Sequence, residues 1–484
     1  MNTRMIAYLL GIILLIEAAL LLLPMLVAIL CGESAIPFLL TIGILLAISL
    51  PAVLRKPRET RIYAKEGFVC VAAAWVLLAA FGALPFVFSG AIPNYISAYF
   101  ETVSGLTTTG ASILTEIESL PRGILFWRSF THWIGGMGVL VFMLAILPLA
   151  GGQTMHLMRA EVPGPTKGKL VPKMRRTALI LYGIYIALTA LLAVLLLFCR
   201  MPLYDALVNA FGTAGTGGFS VLNNSIAGYQ NPAAEWILAI FMMIFGINFN
   251  LYYFLLIRRW RDAVKSEELR VFLFLLITST AVIFFNTRHL FTTVGEGIRT
   301  AFFQVTTLVS TAGFATTDYN LWPSLSKTVL LILMLTGSCA GSTAGGLKLS
   351  RVIILLKSTF REIRHVLRPR SVNVVRLDGE AIPDETVRSA TSYLALWFFV
   401  CILTVLLISV DGFSLETNLT ATLACINNIG PGFGEVGPTG NFAGYSLFSQ
   451  ALLSLTMLLG RLEIMPMLIL LLPHSMRKAK QGKS

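Results

Sequence analysis

The chain has 484 residues, of which 56% are hydrophobic and only 13% charged, with a mean hydropathy of +0.79. That charged share is about half the usual level for a soluble domain, and no polar stretch is long enough to form one, so composition describes a single membrane domain. A net charge of +13 would suit nucleic acid, but 30 of the 37 Lys and Arg sit in short segments between apolar runs (55–65, 159–176, 258–270, 348–376 and 477–483, with Arg4 and Arg388), which argues against that partner. The alternate connections carry acids, among them Glu101, Glu116, Glu118, Asp205, Glu296, Asp318, Asp411, Glu416 and Glu435. This is the positive-inside pattern, and it assigns the basic loops and both termini to the cytoplasm.

A spanning helix needs roughly 20 apolar residues, at about 1.5 Å per residue through a core of about 30 Å. The first apolar run, 5–31, is too long for a signal-peptide core and lacks a small-residue cleavage site, so it reads as a retained span. Further spans are predicted at 35–54, 67–90, 123–150, 176–200, 233–258, 270–290, 326–357, 387–411 and 444–472. The cysteines, Cys31, Cys70, Cys199, Cys339, Cys401 and Cys425, lie singly in or beside these spans and read as packing residues rather than disulfides or metal ligands.

After the third, fifth, seventh and ninth spans comes a semi-polar stretch of about 10–14 residues, too short to cross and suited to a re-entrant half-helix. Each ends in a glycine-rich turn. Residues 97–106 lead into Thr107-Thr108-Thr109-Gly110-Ala111-Ser112, and 204–214 into Gly215-Thr216-Gly217-Gly218-Phe219-Ser220. Residues 296–309 lead into Ser310-Thr311-Ala312-Gly313-Phe314-Ala315, and 416–426 into Asn427-Asn428-Ile429-Gly430-Pro431-Gly432-Phe433-Gly434. The first three share Thr-x-Gly; in the fourth, Asn428 with Gly430 keeps the spacing, with Gly432 as runner-up.

Each unit is thus span, short helix, glycine turn, span. The basic flanks put both ends of every unit on the cytoplasmic side, so the units are parallel rather than inverted, unlike rocking carriers. The predicted fold is an all-α integral membrane protein of four parallel helix–pore-helix–filter-loop–helix repeats with pseudo-fourfold symmetry, plus two N-terminal transmembrane helices. The expected division is 1–66 for the helix pair, 67–175, 176–269 and 270–386 for repeats one to three, and 387–484 for repeat four and a basic tail. Irregular backbone at membrane depth is tolerable only in protein or around a wet cavity. Glycine frees consecutive carbonyls to point one way, and four such strands at one axis give carbonyl rings that can replace the hydration shell of a monovalent cation. The half-helix before each turn aims its partly negative C-terminal end at that site.

These turns, with 427–438 (NNIGPGFGEVGP) and 337–348 (GSCAGSTAGGLK), resemble the Trk/Ktr/HKT superfamily, and within it the TrkH/TrkG potassium-uptake subunits, over essentially the whole chain. The resemblance implies one filter glycine per repeat, falling on Gly110, Gly218, Gly313 and Gly430. The candidate K⁺ ligands are then Thr108, Thr109 and Gly110; Thr216, Gly217 and Gly218; Thr311, Ala312 and Gly313; and Asn428, Ile429, Gly430 and Gly432. Glycine rather than serine at Gly110 goes, by the same resemblance, with K⁺ over Na⁺. It further implies a multi-pass protein of the cytoplasmic (inner) membrane, a homodimer with one pore per subunit, and a separate cytosolic TrkA-type nucleotide-binding regulator, for which residues 351–376 are a candidate docking surface. K⁺ is cargo; no cofactor is expected.

The eighth span is interrupted by Gly337, Gly341, Gly345 and Gly346 among Ser338, Ser342 and Thr343, and each glycine costs a helix up to roughly 1 kcal/mol. Two readings arise: a small-residue helix contact, or an unwound loop that blocks the pore below the filter, which the TrkH resemblance favours. Arg461 lies some 11 residues, about 16 Å, from the end of the last span, too deep to snorkel easily. It raises a barrier to K⁺, or holds the loop, or pairs structurally with another helix; Glu463, two residues on, is a poor partner within the same helix. Lys348 either belongs to the loop or begins the basic flank. Glu101, Glu116, Asp318 and Glu435 either gather K⁺ at the mouth or are structural, and His132 reads as a packing histidine. With no HExxH, P-loop or Ser/His arrangement the chain is not expected to be an enzyme. The function indicated is K⁺ uptake, the alternative being a Na⁺-permeable or H⁺/Na⁺-coupled transporter of the same fold.

Overall fold

Inside a bilayer every backbone N–H and C=O needs a partner within protein, so the long apolar runs become helices. The structure, a computed structural model, describes residues 2–57, 64–138, 174–370, 373–464 and 467–468. The basic segment 159–176 therefore falls largely outside the described residues, as do 58–63 and the tail 477–483.

Helices α1 (Thr3–Leu20) and α2 (Leu22–Leu30) make one span of 28 residues, and α3 (Ile36–Leu54) returns against it. The first repeat holds α4 (Ala64–Gly82), its short continuation α5 (Leu84–Phe88), the pore helix α6 (Tyr95–Leu106) and α7 (Arg122–Gly136). The second holds α8 (Met174–Phe198), the pore helix α9 (Leu203–Gly215), α10 (Pro232–Gly246) and α11 (Phe249–Leu256). A short α12 (Trp260–Val264) leads to the third, with α13 (Glu267–Thr287), the pore helix α14 (Val294–Val309), α15 (Ser324–Thr336) and α16 (Leu349–Leu367). A two-stranded antiparallel hairpin, β1 (Arg376–Leu377) and β2 (Glu380–Ala381), precedes the fourth, with α17 (Asp384–Ile408), the pore helix α18 (Leu415–Ile426) and α19 (Leu447–Arg461).

Three pore helices start on a side-chain cap that satisfies first-turn N–H groups: Asn94 for α6, Thr293 for α14 and Ser414 for α18. Each pore helix packs on the first span of its own repeat and on the second span of the preceding one: α7 on α9, α10 on α14, α15 on α18. The packing of α19 on α6 closes the circle. Burial follows this order, with nine of the 12 residues of α6 buried against 28% of the outer spans α8, α13 and α17. The fold is the expected one, four parallel repeats around an axis with an extra N-terminal pair.

The spans depart from expectation in one consistent respect. Six helical spans among the described residues are long and apolar enough to cross a membrane, and they match the predicted first, second, third, fifth, seventh and ninth. In the other four, the second spans of the repeats, no single helix among the described residues covers the predicted range. Helix α7 ends at Gly136, and most of the predicted 137–150 lies outside the described residues. The predicted 233–258 bends by 90° between α10 and α11. The predicted 326–357 is unwound from 337 to 348, and 444–472 stops at Arg461, with left-handed φ of 60° at Glu463 and 55° at Ile464. Hydropathy sees only the apolar average of such segments, so only the glycine-rich break was visible in advance.

Where second spans cross pore helices the backbones nearly touch. A Cβ at Gly135 would overlap the carbonyl oxygen of Leu106, the last residue of α6, and one at Gly460 that of Ile426, the last of α18. Gly135→Ala and Gly460→Ala are each expected to destabilise the protein by about 1–3 kcal/mol, the usual cost of overpacking. A lowered unfolding midpoint in detergent would show it, and an unchanged midpoint would mean that the helices part freely there.

Candidate functional site

The four pore helices end alike. Just past them Thr108, Thr216, Thr311 and Asn428 take left-handed φ of 55, 57, 58 and 53°. The N–H of the next residue then reaches back five positions, Thr109 to Ser104, Gly217 to Gly212, Ala312 to Thr307 and Ile429 to Ala424, each at 2.8 Å. This is a Schellman closure, which glycine usually makes. A side chain in that conformation costs roughly 1–2 kcal/mol, and here it sets a threonine or asparagine at the same point of all four turns. One residue on, Gly110, Gly218, Gly313 and Gly430 are left-handed as well, with φ of 80, 79, 77 and 95°.

These glycines interlock. The space a Cβ would take at Gly110 is filled by the carbonyl oxygen of Gly217, at Gly218 by that of Ala312, at Gly313 by that of Ile429, and at Gly430 by that of Thr109. Each turn thus presses its glycine on the carbonyl of the next, and the fourth returns to the first. Gly432 lies outside this ring: its N–H bonds the Val436 carbonyl at 2.7 Å and its own carbonyl accepts from Tyr319 Oη at 3.1 Å. Asn428 does what a threonine cannot. Its Nδ2 donates to Thr109 Oγ1 at 2.9 Å and to the Met457 carbonyl at 3.1 Å, tying the fourth turn to the first and to α19.

On one side the four ring glycines form the floor of an open cavity walled by the loops that follow the turns. Its wall contains Arg128, buried beside the equally buried Glu101 at 2.7 Å, with its guanidinium 3.5 Å over the Phe219 ring. Glu101 also accepts from Ser112 Oγ at 2.9 Å and Ile113 N–H at 3.0 Å, so this carboxylate is structural. Glu116 and Glu118 clamp Asn223, and Asp318 accepts from Asn320 N–H at 2.9 Å in a short turn; Glu435 is exposed. His132 packs 4.1 Å from Phe219, with Nδ1 at 2.8 Å from the Gly105 carbonyl, a packing role.

On the other side lies the stretch 337–348, which is not helical. Gly337, Gly341, Gly346 and Lys348 have φ of 65, 73, 80 and 66°. The loop reaches the turns directly: Gly345 N–H donates to Thr311 Oγ1 at 2.8 Å, and a side chain at Gly345 would overlap the Asn427 carbonyl. It also takes up carbonyls freed where α10 breaks. Ser338 Oγ and Cys339 N–H both bond the Gly246 carbonyl, and Thr343 Oγ1 bonds that of Phe245 at 3.3 Å. Ser342 Oγ bonds back to the Cys339 carbonyl at 2.6 Å, and the Gly341 carbonyl accepts from Phe249 N–H at 3.0 Å.

Arg461 bridges the loop and the first repeat, donating to the Thr343 carbonyl at 2.9 Å and the Gly135 carbonyl at 2.7 Å. Lys348 is buried with Nζ on the Ala344 carbonyl, so it belongs to the loop and not to the basic flank. Glu463, freed by the end of α19, pairs with Arg351 at 2.7 Å, whose guanidinium lies 4.2 Å from the Tyr393 ring. Three residues in this region were not singled out from sequence: Asn248, capping α11 beside Gly341; Arg351; and Glu268, which accepts from the loop. An acid in the first turn of a helix looks like an ordinary favourable helix start, so nothing local marked Glu268.

The sequence profile of the TrkH family, described as cation transport protein, matches residues 38–478. The chain belongs to the TrkH family. Similar proteins include the Trk system potassium uptake protein TrkH of Salmonella typhimurium, 38% identical over 99% of this chain and 100% of that one. The Trk system potassium uptake protein TrkG of Escherichia coli is 32% identical over 97% and 98% of the two chains. The crystal structure of the potassium transporter TrkH from Vibrio parahaemolyticus superposes with a TM-score of 0.88, at 32% identity, covering 98% of this chain and 99% of that one. The family is one of transport proteins, not enzymes.

Removing one member of a buried ion pair strands the other, at a cost of about 3–5 kcal/mol. Arg128→Ala is therefore expected to lower the unfolding midpoint of this TrkH-family chain far more than the paired replacement of Glu101 by Gln and Arg128 by Met. Equal midpoints for the two variants would remove Arg128–Glu101 as the brace of the vestibule.

Proposed function

We propose that this chain takes up K⁺ across the cytoplasmic membrane through the ring formed by the turns at Gly110, Gly218, Gly313 and Gly430, and that the loop 337–348 closes the path beneath it. The observation that carries this reading is the cyclic interlock, in which every ring glycine abuts the carbonyl of the next repeat. Carbonyl rings substitute for the hydration shell of a monovalent cation, and relatives named as potassium uptake proteins support K⁺ as the cargo. The ligands in this reading are Thr108, Thr109 and Gly110, Thr216, Gly217 and Gly218, Thr311, Ala312 and Gly313, and Asn428, Ile429 and Gly430. Voltage is a sufficient driving force: about 2.3 kcal/mol per charge at 100 mV corresponds to roughly forty-fold accumulation.

The gate in this reading is the glycine loop with Lys348 and Arg461. Either cation opposes K⁺ below the filter, and Arg461 also anchors the loop through Thr343. The charge pattern supports an inner-membrane orientation with both termini in the cytoplasm. The same reading divides the chain at 66, 175, 269 and 386, and has it act as a homodimer with a cytosolic TrkA-type nucleotide-binding subunit, for which the basic 351–376 region is a docking candidate.

Purified protein in proteoliposomes is expected to pass K⁺ and Rb⁺ well ahead of Na⁺; equal K⁺ and Na⁺ flux would defeat the filter assignment in favour of a Na⁺-permeable transporter. Serine at Gly110, Gly218, Gly313 or Gly430 must push against a neighbouring carbonyl, so each variant is expected to lose most of the K⁺ over Na⁺ preference. Unchanged ion ratios in all four would remove the ring as the selective element. Deleting residues 341–345, or Arg461→Ala, is expected to raise basal K⁺ flux several-fold, and an unaltered flux in both would remove the gate.

A further inference from the structure

The loop 337–348 is stapled at its base. Leu349 N–H bonds the Ser338 carbonyl at 2.9 Å, bringing the two ends of the unwound stretch together. Beside that bond stands Glu268, buried in the first turn of α13. A single oxygen of it, Oε1, accepts the N–H of Ala340 at 2.8 Å and the N–H of Ser350 at 2.9 Å. The two donors are ten residues apart, Ala340 on the entering arm of the loop and Ser350 just past its end. The ordinary role of an acid at this point is to serve its own helix, but that duty is met elsewhere: Ser266 Oγ accepts from Leu269 N–H. The preceding residue is fixed from outside the bundle. Glu267 N–H donates to Asp378 in the β1–β2 turn at 2.6 Å, and its carboxylate pairs with Lys357 of α16 at 2.5 Å.

We propose that Glu268 is the latch of the intramembrane loop, a positioning residue that holds the loop in its closed shape by gripping both flanks at one carboxylate oxygen. The latch rests on the reading of 337–348 as a gate. Charge-assisted hydrogen bonds are roughly twice as strong as neutral ones, so the negative charge of Glu268 matters as well as its shape. The charged group that acts on Glu268 is Lys348, which in turn is faced by Arg351, Arg461 and Glu463. Loss of negative charge at Glu268, beside Lys348, would by itself slow a cation. A faster flux in the variant therefore reports a looser loop and not a changed field.

The test is a double-mutant cycle on the full-length protein in proteoliposomes, read by Rb⁺ tracer flux, with Glu268→Gln made both in the intact chain and in the chain lacking residues 341–345. The latch predicts a rise of about five- to tenfold in the intact chain, some 1–1.4 kcal/mol by RT, and no rise where the loop is gone. It also predicts faster modification of Ser342→Cys by a neutral maleimide when Glu268 is glutamine, and weaker effects of both kinds for Glu268→Asp. No rise in the intact chain, while the deletion alone raises flux, overturns the latch and leaves the gate standing. The same change with and without the loop also overturns it, by assigning Glu268 to the path itself. If the deletion alone raises nothing, the gate fails first and the latch with it.

Discussion

Polar backbone that leaves the helix in mid-membrane must find every partner inside the protein, because no lipid can supply one. This protein leaves the helix repeatedly at that depth, at the four turns and at the breaks of the second spans, and the rest of its structure answers the resulting demand. The pore helices answer it first by folding their last carbonyls back on the turn amides through four matching closures. The broken spans answer it by lending carbonyls to one another: Gly246 and Phe245 of the second repeat to the loop of the third, Thr343 of the loop to Arg461 of the fourth, Gly135 of the first to the same arginine. No repeat is complete alone.

The ring of glycines obeys a second constraint, which is room. Four strands can bring carbonyls to one axis only if nothing stands between them, and the nearest neighbour of each absent Cβ is the carbonyl oxygen or carbon of the adjacent turn. Backbone freedom and space coincide at the same residue, since all four are also left-handed. That dual demand separates Gly430 from Gly432, whose backbone is not left-handed and whose open side faces Thr420. Asn428 adds a cross-brace at the one turn that departs from threonine, fastening the last repeat to the first where the chain itself does not connect them.

Charge on the far side of the ring is arranged against its own cost. Ionised side chains within a membrane face protein or water and pair, and here Arg351 meets Glu463, Arg461 meets carbonyls, and Lys348 caps the loop from within. The loop that carries Lys348 touches the ring's third turn at Thr311, through the Gly345 N–H.

How much of this could be read from residues follows the range of the interactions. The long outer helices, the four half-helices and the Thr-x-Gly spacing are local features, carried by apolar length, short semi-polar stretches and residues that tolerate left-handed backbone, so the sequence alone determined the repeat architecture and the candidate filter positions. The break at 337–348 was legible because four glycines weaken a helix by themselves. The breaks at Ile247 and Arg461 carry weaker marks, a single glycine each at Gly246 and Gly460, and become favourable only where another repeat accepts the freed groups. In the same way Glu463 is a misplaced charge until Arg351 meets it, and Glu268 an unremarked helix start until both flanks of the loop arrive at one oxygen. Only the tertiary structure decided these, because each is a contact between residues far apart in the chain, and a backbone donor or acceptor leaves no trace in the identity of its residue.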